Sequence, residues 1–337
     1  MSIEAELERR AGAGIDRDAS DFWSRYNVMK THLSQEYYPW IQANCPYFTD
    51  HGIRHVESVG QAAGLLLDRF LNPRKNELSS LDLFLLLSGI IWHDVGMVYE
   101  RSGHANKVAE ISKTIKEMFP GIPVQRHVEE ISRAHSGEEG LDIPRPEDDY
   151  NTANKMYKIY PRALAAVVRL ADEVSENHSR ISRSLINGVP EGSKIYWEYA
   201  NCIVASYPDP TRRRILVRIE IQHDKAKTRM ECRDFLDRTG GEPQMPLIEY
   251  VLCRLEKMNN ERAYCSRYIT RYVDLRTVEA RFTLLRGTER VPGYDELTVV
   301  FGDSGLDSGD YPKIKVVGGF FAANPAWTPD RIEEALR

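Results

Sequence analysis

The segment "SGIIWHDVGM" (residues 88–97) sets an imidazole and a carboxylate side by side at the end of a strongly apolar run. Leu83, Phe84, Leu85, Leu86, Leu87, Ile90, Ile91 and Trp92 lead into His93 and Asp94. A carboxylate taken into a core is costly unless it is paired, strongly hydrogen-bonded or bound to a metal. Two readings follow. Either the pair sits at a helix end that reaches the surface, or something cationic lies between the two groups.

The surrounding chain has the composition of a globular protein. It has 337 residues, 42% of them hydrophobic, a length that suits one large domain with an appendage, or two domains. A formal charge of −5 and a pI near 6.0 argue against a protein that coats nucleic acid by charge. The longest apolar run, Leu81 to Trp92, is interrupted by Asp82 and is too short to span a bilayer, so no membrane association is expected. "MSIEAELERR" (residues 1–10) contains no apolar signal core. Cys45, Cys202, Cys232, Cys253 and Cys265 form no CxxC pair and are odd in number, which suits reduced thiols in the cytoplasm.

Helical spacing runs through "FWSRYNVMKTHLSQEYYPWI" (22–41) and "RHVESVGQAAGLLLDRFL" (54–71). Residues 81–93, 104–118 and 124–135 are further helices, and "YPRALAAVVRLADEVSENHSRISRSL" (160–185) is another, with Pro161 in its first turn. The acidic stretch 137–152 reads as a loop, either a solvated connection or a flap over a pocket. After about residue 190 the texture changes. "KIYWEYANCIVASY" (194–207) and "RILVRIEIQ" (214–222) flank a turn, and alternation through Ile215, Val217, Ile219 and Ile221 predicts an antiparallel hairpin with one buried face. A long helix follows over 246–273. Strands are then expected at "ARFTLLRG" (280–287), "ELTVVFGD" (296–303) and "PKIKVVGG" (312–319), before a short helix with Thr328 as N-cap and Pro329 at its first position. The expected fold is mainly α, a helical bundle followed by a smaller α+β region with an antiparallel hairpin.

The chemistry-bearing residues fall in a defined order along the helical half. His55 lies in "DHGIRHVESV", then come His93–Asp94, His104 in "SGHANKVAEI", His135 in "EEISRAHSG" and Asp172 in "VVRLADEVSE". Each sits on or at the end of an amphipathic helix, so a bundle can direct them all toward one centre. Imidazole nitrogens combined with carboxylate oxygens suit a divalent metal such as Mn, Mg, Fe, Co, Ni or Zn.

This ordered H…HD…D pattern resembles the HD-domain superfamily of metal-dependent phosphohydrolases, over roughly residues 45–185. The resemblance implies that His55, His93, Asp94 and Asp172 are the protein ligands of one metal. His104 and His135 fall where superfamily members bind a second ion or contact phosphate, so one or two ions are expected. His51, four residues before His55, matches a histidine that donates a proton to the leaving oxygen in cyclic-nucleotide phosphodiesterases of the superfamily. Helix capping is its alternative role. Asp94 is expected both to bind metal and to accept a proton from the attacking water.

Lys107, one turn after His104, and Arg180, about two turns after Asp172, are the expected phosphate-binding cations. Arg54, Arg133 and Arg169 are further candidates. His127 and His178 read as packing and capping residues. The implied organisation is an N-terminal helical extension (1–44), an HD-type core (45–190), a hairpin plus long helix (191–275) and a small α/β region that regulates or oligomerises (276–337).

Subgroup signatures are absent. "HDVGMVYERSGH" has Met97 where triphosphohydrolases of the superfamily carry a histidine, and no GYP signature of cyclic-dinucleotide phosphodiesterases occurs. A small nucleotide substrate is the expectation that survives. The first choice is a (deoxy)nucleoside triphosphate cut by a triphosphohydrolase (dNTPase), as used in nucleotide signalling or antiviral nucleotide depletion. A phosphodiesterase of a cyclic or short oligonucleotide is the alternative, and a non-catalytic nucleotide sensor the second. Tyr264, Tyr268 and Tyr272, flanked by Arg267 and Arg271, form a stripe suited to core packing, to a homo-oligomer interface or to a nucleotide effector.

Overall fold

Ser2 opens the first helix, α1 (Ile3–Ala13), by accepting the amide of Ala5, and Gly14 closes it in the left-handed region at φ 61°. The structure is a computed structural model that describes residues 2–14, 16–71, 78–136, 147–235, 243–302 and 316–334. Its described residues are mainly helical and fall into two compact units. The first contains residues 1–46, 50–175 and 265–274, and the second residues 47–49, 176–264 and 275–337.

The first unit is a bundle built around one apolar helix. After α1 come α2 (Ala19–Glu36), α3 (Tyr38–Asn44) and α4 (Ile53–Leu66). The central helix, α5 (Ser80–Trp92), starts in a capping box in which Ser79 and Asp82 satisfy each other's amides. Every residue of α5 is buried, and α1, α2, α4 and two later helices, α7 (Ile122–Arg133) and α8 (Pro161–Val174), all pack on it. Between α5 and α7 lies α6 (His104–Thr114). A Cβ on Gly89 would stand 2.5 Å from the Ile131 side chain, so glycine there permits the close approach of α7. The span Ser80–Val98 is long and apolar enough to cross a membrane, because its apolar character continues past Asp94, but 94% of it is buried inside the protein. It is a core helix.

Two expectations change in this unit. Helix α8 stops at Val174 instead of running to 185, with Ser175 as its C-cap. Residues 137–146 of the acidic stretch lie outside the described residues. The rest of that stretch is not merely loop, since Asp148–Asn151 (β1) pairs antiparallel with Met156–Ile159 (β2). Tyr157 and Thr152 donate to Asp18 at 2.9 and 2.7 Å, tying this ribbon to the α1–α2 connection. The end of the tyrosine stripe belongs to this unit as packing: Tyr272 is buried edge-on against Phe70, and Arg271 lies over Tyr160.

In the second unit, residues 194–202 belong to a helix, α9 (Glu191–Cys202), where the sequence predicted a strand. Its aromatic and β-branched residues mimic strand composition, yet Ile195, Glu198, Tyr199 and Cys202 are buried at helical spacing. The hairpin itself forms as expected from β3 (Ile203–Asp209) and β4 (Arg214–Gln222), antiparallel, with Ile215, Val217, Ile219 and Ile221 buried. The short α10 (His223–Ala226), β5 (Arg229–Glu231), β6 (Gln244–Pro246) and the long α11 (Leu247–Ile269) follow.

That excursion lets β7 (Thr277–Arg286) return parallel to β4, a pairing that requires a crossover. Two further strands, β8 (Glu289–Arg290) and β9 (Leu297–Phe301), pair antiparallel with β7. The third strand expected near the C-terminus is not one. Val316–Ala323 is a helix, α12, while residues 312–315 lie outside the described residues. Thr328 and Pro329 open α13 (Pro329–Glu334), as their residue types predict.

Candidate metal centre

Five helix ends deliver six side chains to one place in the first unit. His93 is the C-cap of α5 and Asp94 follows it, leading into a 3-10 turn at Val95–Val98. His55 lies in the first turn of α4, Asp172 in the last turn of α8, His104 is the first residue of α6, and His135 follows the end of α7. They form two groups. His55, His93 and Asp172 make one, Asp94, His104 and His135 the other, each with its ligand atoms within 4.8 Å of one another.

Asp94 links them. Its Oδ2 lies 3.1 Å from His93 Nε2 and 3.6 Å from His55 Nε2. Its Oδ1 lies 3.4 Å from His104 Nε2 and 3.5 Å from His135 Nε2. Asp172 Oδ1 completes the first group, 3.0 Å from His55 Nε2 and 3.9 Å from His93 Nε2. One carboxylate therefore faces both groups, one oxygen to each.

The ring tautomers follow from the other nitrogen. His93 Nδ1 donates to the carbonyl of Ile90 at 2.6 Å and His104 Nδ1 to that of Arg101 at 2.7 Å, while His135 Nδ1 donates to Ser132. A donated Nδ1–H leaves a lone pair on Nε2. Yet Nε2 of His55 and His93 lie 3.3 Å apart, and those of His104 and His135 only 3.0 Å apart. Lone pairs that face each other this closely repel unless a proton or a metal ion lies between them. The donor set, imidazole nitrogens and carboxylate oxygens, fits a divalent cation at each group.

Electrostatics agree. Burial alone would raise the pKa of Asp94, but His93, His104 and His135 outweigh it and hold the carboxyl well below the usual range. Burial likewise opposes ionisation of Asp172, and His55 and His93 override it. Burial would lower His93, yet the two carboxylates push it up to about 9.

The remaining expected site residues divide. The His51 ring stands 5.6 Å from that of His55, edge to face, but His51 precedes α4 instead of lying on its face. Lys107 is one turn beyond His104 on α6, with its ammonium 3.3 Å from Glu110. Arg180 is corrected. The end of α8 at Val174 puts it in a separate 3-10 turn, His178–Arg180, of the second unit, where it is buried and paired with Glu176 at 3.1 Å. It is not on the Asp172 helix. Arg54 pairs with Asp50 at 3.3 Å, and Arg133 donates to Asn106. His127 is a packing residue held between Asp148 and Glu130.

The family comparison matches this geometry. The HD-CE family model matches residues 45–244, well over half of the chain. The chain belongs to the HD-CE family. No curated protein and no solved structure matches it. The HD-CE match takes in all six converging residues and continues past α8 through α9 and the β3–β4 hairpin, further than the superfamily resemblance read from the motifs. Membership in this HD-type family points to a metal-dependent hydrolase.

Several supporting residues of the HD-CE centre carry no sequence signature. Tyr38 donates from its buried hydroxyl to the Ile91 carbonyl at 2.7 Å, bracing the turn that precedes His93. Arg169, considered above as a phosphate ligand, is buried and donates to the carbonyls of Ala134 and Ser136 on either side of His135. Gly96 could have been noticed, since it follows His93–Asp94 by two positions. A Cβ there would stand 2.0 Å from the His104 carbonyl oxygen and 3.0 Å from the Lys107 Cβ. Backbone cannot yield as a flexible side chain can, so Gly96→Ala is expected to destabilise the protein by about 1–3 kcal/mol. Urea unfolding measures this, and a midpoint unchanged from wild type would refute the close packing of this turn on α6.

Proposed function

We propose that this HD-CE protein is a metal-dependent phosphohydrolase of a small nucleotide, with a (deoxy)nucleoside triphosphate as the leading substrate. The observation that carries the reading is Asp94, with one carboxylate oxygen turned to each of two histidine-containing groups. His55, His93, Asp94 and Asp172 would hold one ion, and Asp94, His104 and His135 a second. Such ions supply a bound water of lowered pKa and neutralise charge on phosphoryl oxygens.

The protein's own groups do the rest. The Ile90, Arg101 and Ser132 carbonyls fix three imidazoles in the tautomer that presents Nε2. The apolar body of α5 shields His93 and Asp94 from bulk water, which strengthens electrostatic interactions around them. Asp94 accepts the proton of the attacking water. His51, half-buried beside His55, would return a proton to the leaving oxygen, a role an imidazole suits because its ordinary pKa is near neutrality. Lys107, one turn after His104 on α6, would serve phosphate by exchanging its Glu110 partner.

A second reading, a phosphodiesterase of a cyclic or short oligonucleotide, draws on the same observation. A complete second donor group suits the paired clamping of attacking and leaving oxygens in an in-line displacement. Incubating the purified chain with Mn, Mg, Co or Ni and a panel of deoxynucleotides, ribonucleotides and cyclic dinucleotides, followed by chromatography of products, separates the two. Release of tripolyphosphate or pyrophosphate from a nucleoside triphosphate is the expected result. Cleavage confined to phosphodiesters selects the second reading. Absence of turnover with every pair removes both and leaves a nucleotide sensor.

A further inference from the structure

Three of the four imidazoles are oriented by a backbone carbonyl three residues before them in their own segment. His55 is held differently. Its Nδ1 lies 3.4 Å from the hydroxyl of Ser175, a residue 120 positions away. Ser175 is buried, 3% exposed, and is the C-cap of α8, three residues beyond Asp172. Its amide donates to the carbonyls of Ala171 and Asp172, and its Oγ donates to the Asp172 carbonyl at 2.8 Å. With its single proton committed to Asp172, the hydroxyl presents lone pairs, and toward His55 it is an acceptor.

We propose that Ser175 is a positioning residue: by accepting Nδ1–H from His55, it reserves His55 Nε2 for a cation held together with His93 and Asp172. The same side chain grips the turn that carries Asp172, so it sets one ligand of α4 against one of α8. An imidazole with no Nδ1 acceptor is free to adopt the other tautomer, whose protonated Nε2 points a hydrogen at the cation position. Ser175 has this role only toward the group His55–His93–Asp172. The Asp94–His104–His135 group has its own carbonyl acceptors and does not depend on it.

This inference rests on the reading of the centre as an ion site, and the test separates the two. The full chain, labelled with ¹⁵N-histidine, is prepared as wild type, Ser175→Ala and Ser175→Thr. The His55 tautomer is read by long-range ¹H–¹⁵N spectra without metal, and Zn²⁺ is then titrated calorimetrically. Wild type and Ser175→Thr are expected to show Nδ1-protonated His55. Ser175→Ala is expected to show a mixed or reversed tautomer, with Zn²⁺ binding to one of two positions weakened by about 10–100-fold and the other unchanged.

An unchanged His55 tautomer in Ser175→Ala overturns the inference, as does a Ser175→Thr variant that behaves like alanine. Should the alanine variant not fold, Ser175→Cys, a poorer acceptor of similar size, carries the same comparison. If the wild type binds no Zn²⁺, the ion-site reading fails, while the tautomer comparison still decides the role of Ser175.

Discussion

Asp94→Asn is expected to lower hydrolytic turnover by at least about 10³-fold and to strip ions from both donor groups at once. The side chain keeps its shape but loses the charge that the histidines on both sides face. Stabilisation of transition-state charge by bound ions amounts to several kcal/mol, and each 1.36 kcal/mol is a factor of ten in rate. His104→Ala is the informative partner. It removes one donor from the second group and leaves His55, His93, Asp94 and Asp172 intact, so one ion position is expected to survive. Metal content after gel filtration, measured beside turnover, distinguishes the variants. Turnover that persists in Asp94→Asn would remove this centre from the reaction.

Acidity is expected to have the second largest effect. Ion binding requires His93 neutral, but in the ion-free protein burial, which would lower its pKa, is outweighed by Asp94 and Asp172 and the group is pushed up to about 9. His104 is shifted in the same direction, where Asp94 overcomes burial. Each displaced proton changes the apparent Kd by about tenfold per pH unit, so Mn²⁺ affinity should rise by about 10²-fold or more from pH 6 to 8.5.

Stability of the ion-free chain runs the other way. A histidine whose folded pKa exceeds its unfolded value of about 6.5 contributes stability that is complete below that value and is lost as pH rises through about 9. The depressed carboxylates Asp94 and Asp172 add stability that is lost only in strong acid, outside this window. The gain in urea midpoint on adding Mn²⁺ should therefore widen steadily between pH 6 and 8.5. A gain that is flat with pH would contradict the arrangement.

The six converging residues were legible in the sequence because histidines and aspartates recur in a defined order along amphipathic helical segments, although the boundary that ends α8 beside Asp172 was not. What failed depends on competition between local signals. Ser175 and Asn177 offer side-chain hydrogen bonds that compete with the helix, and they end α8 before Arg180 although no proline or glycine marks the stop. In α9, Ile195, Tyr196, Trp197 and Tyr199 have strand propensity, and only their burial pattern in three dimensions decides for helix. The parallel β4–β7 partnership was invisible because alternation specifies a buried face but no neighbour. Tyr38, Arg169 and Ser175 act on backbone carbonyls or on a ring nitrogen from distant segments, and no spacing rule connects such pairs.

The meeting of five helix ends at the centre also shapes its electric field. Three helices, α5, α7 and α8, arrive with their carbonyl ends, and two, α4 and α6, with their amide ends. Sorted by the side chains they supply, each donor group collects two carbonyl ends and one amide end. With about half an elementary charge at each terminus, three carbonyl ends against two amide ends leave the centre a surplus of about half a negative charge, with the α5 end shared by both groups. The main chain thus favours a cation at both positions before any side chain is counted, and substituting a ligand leaves this backbone bias in place.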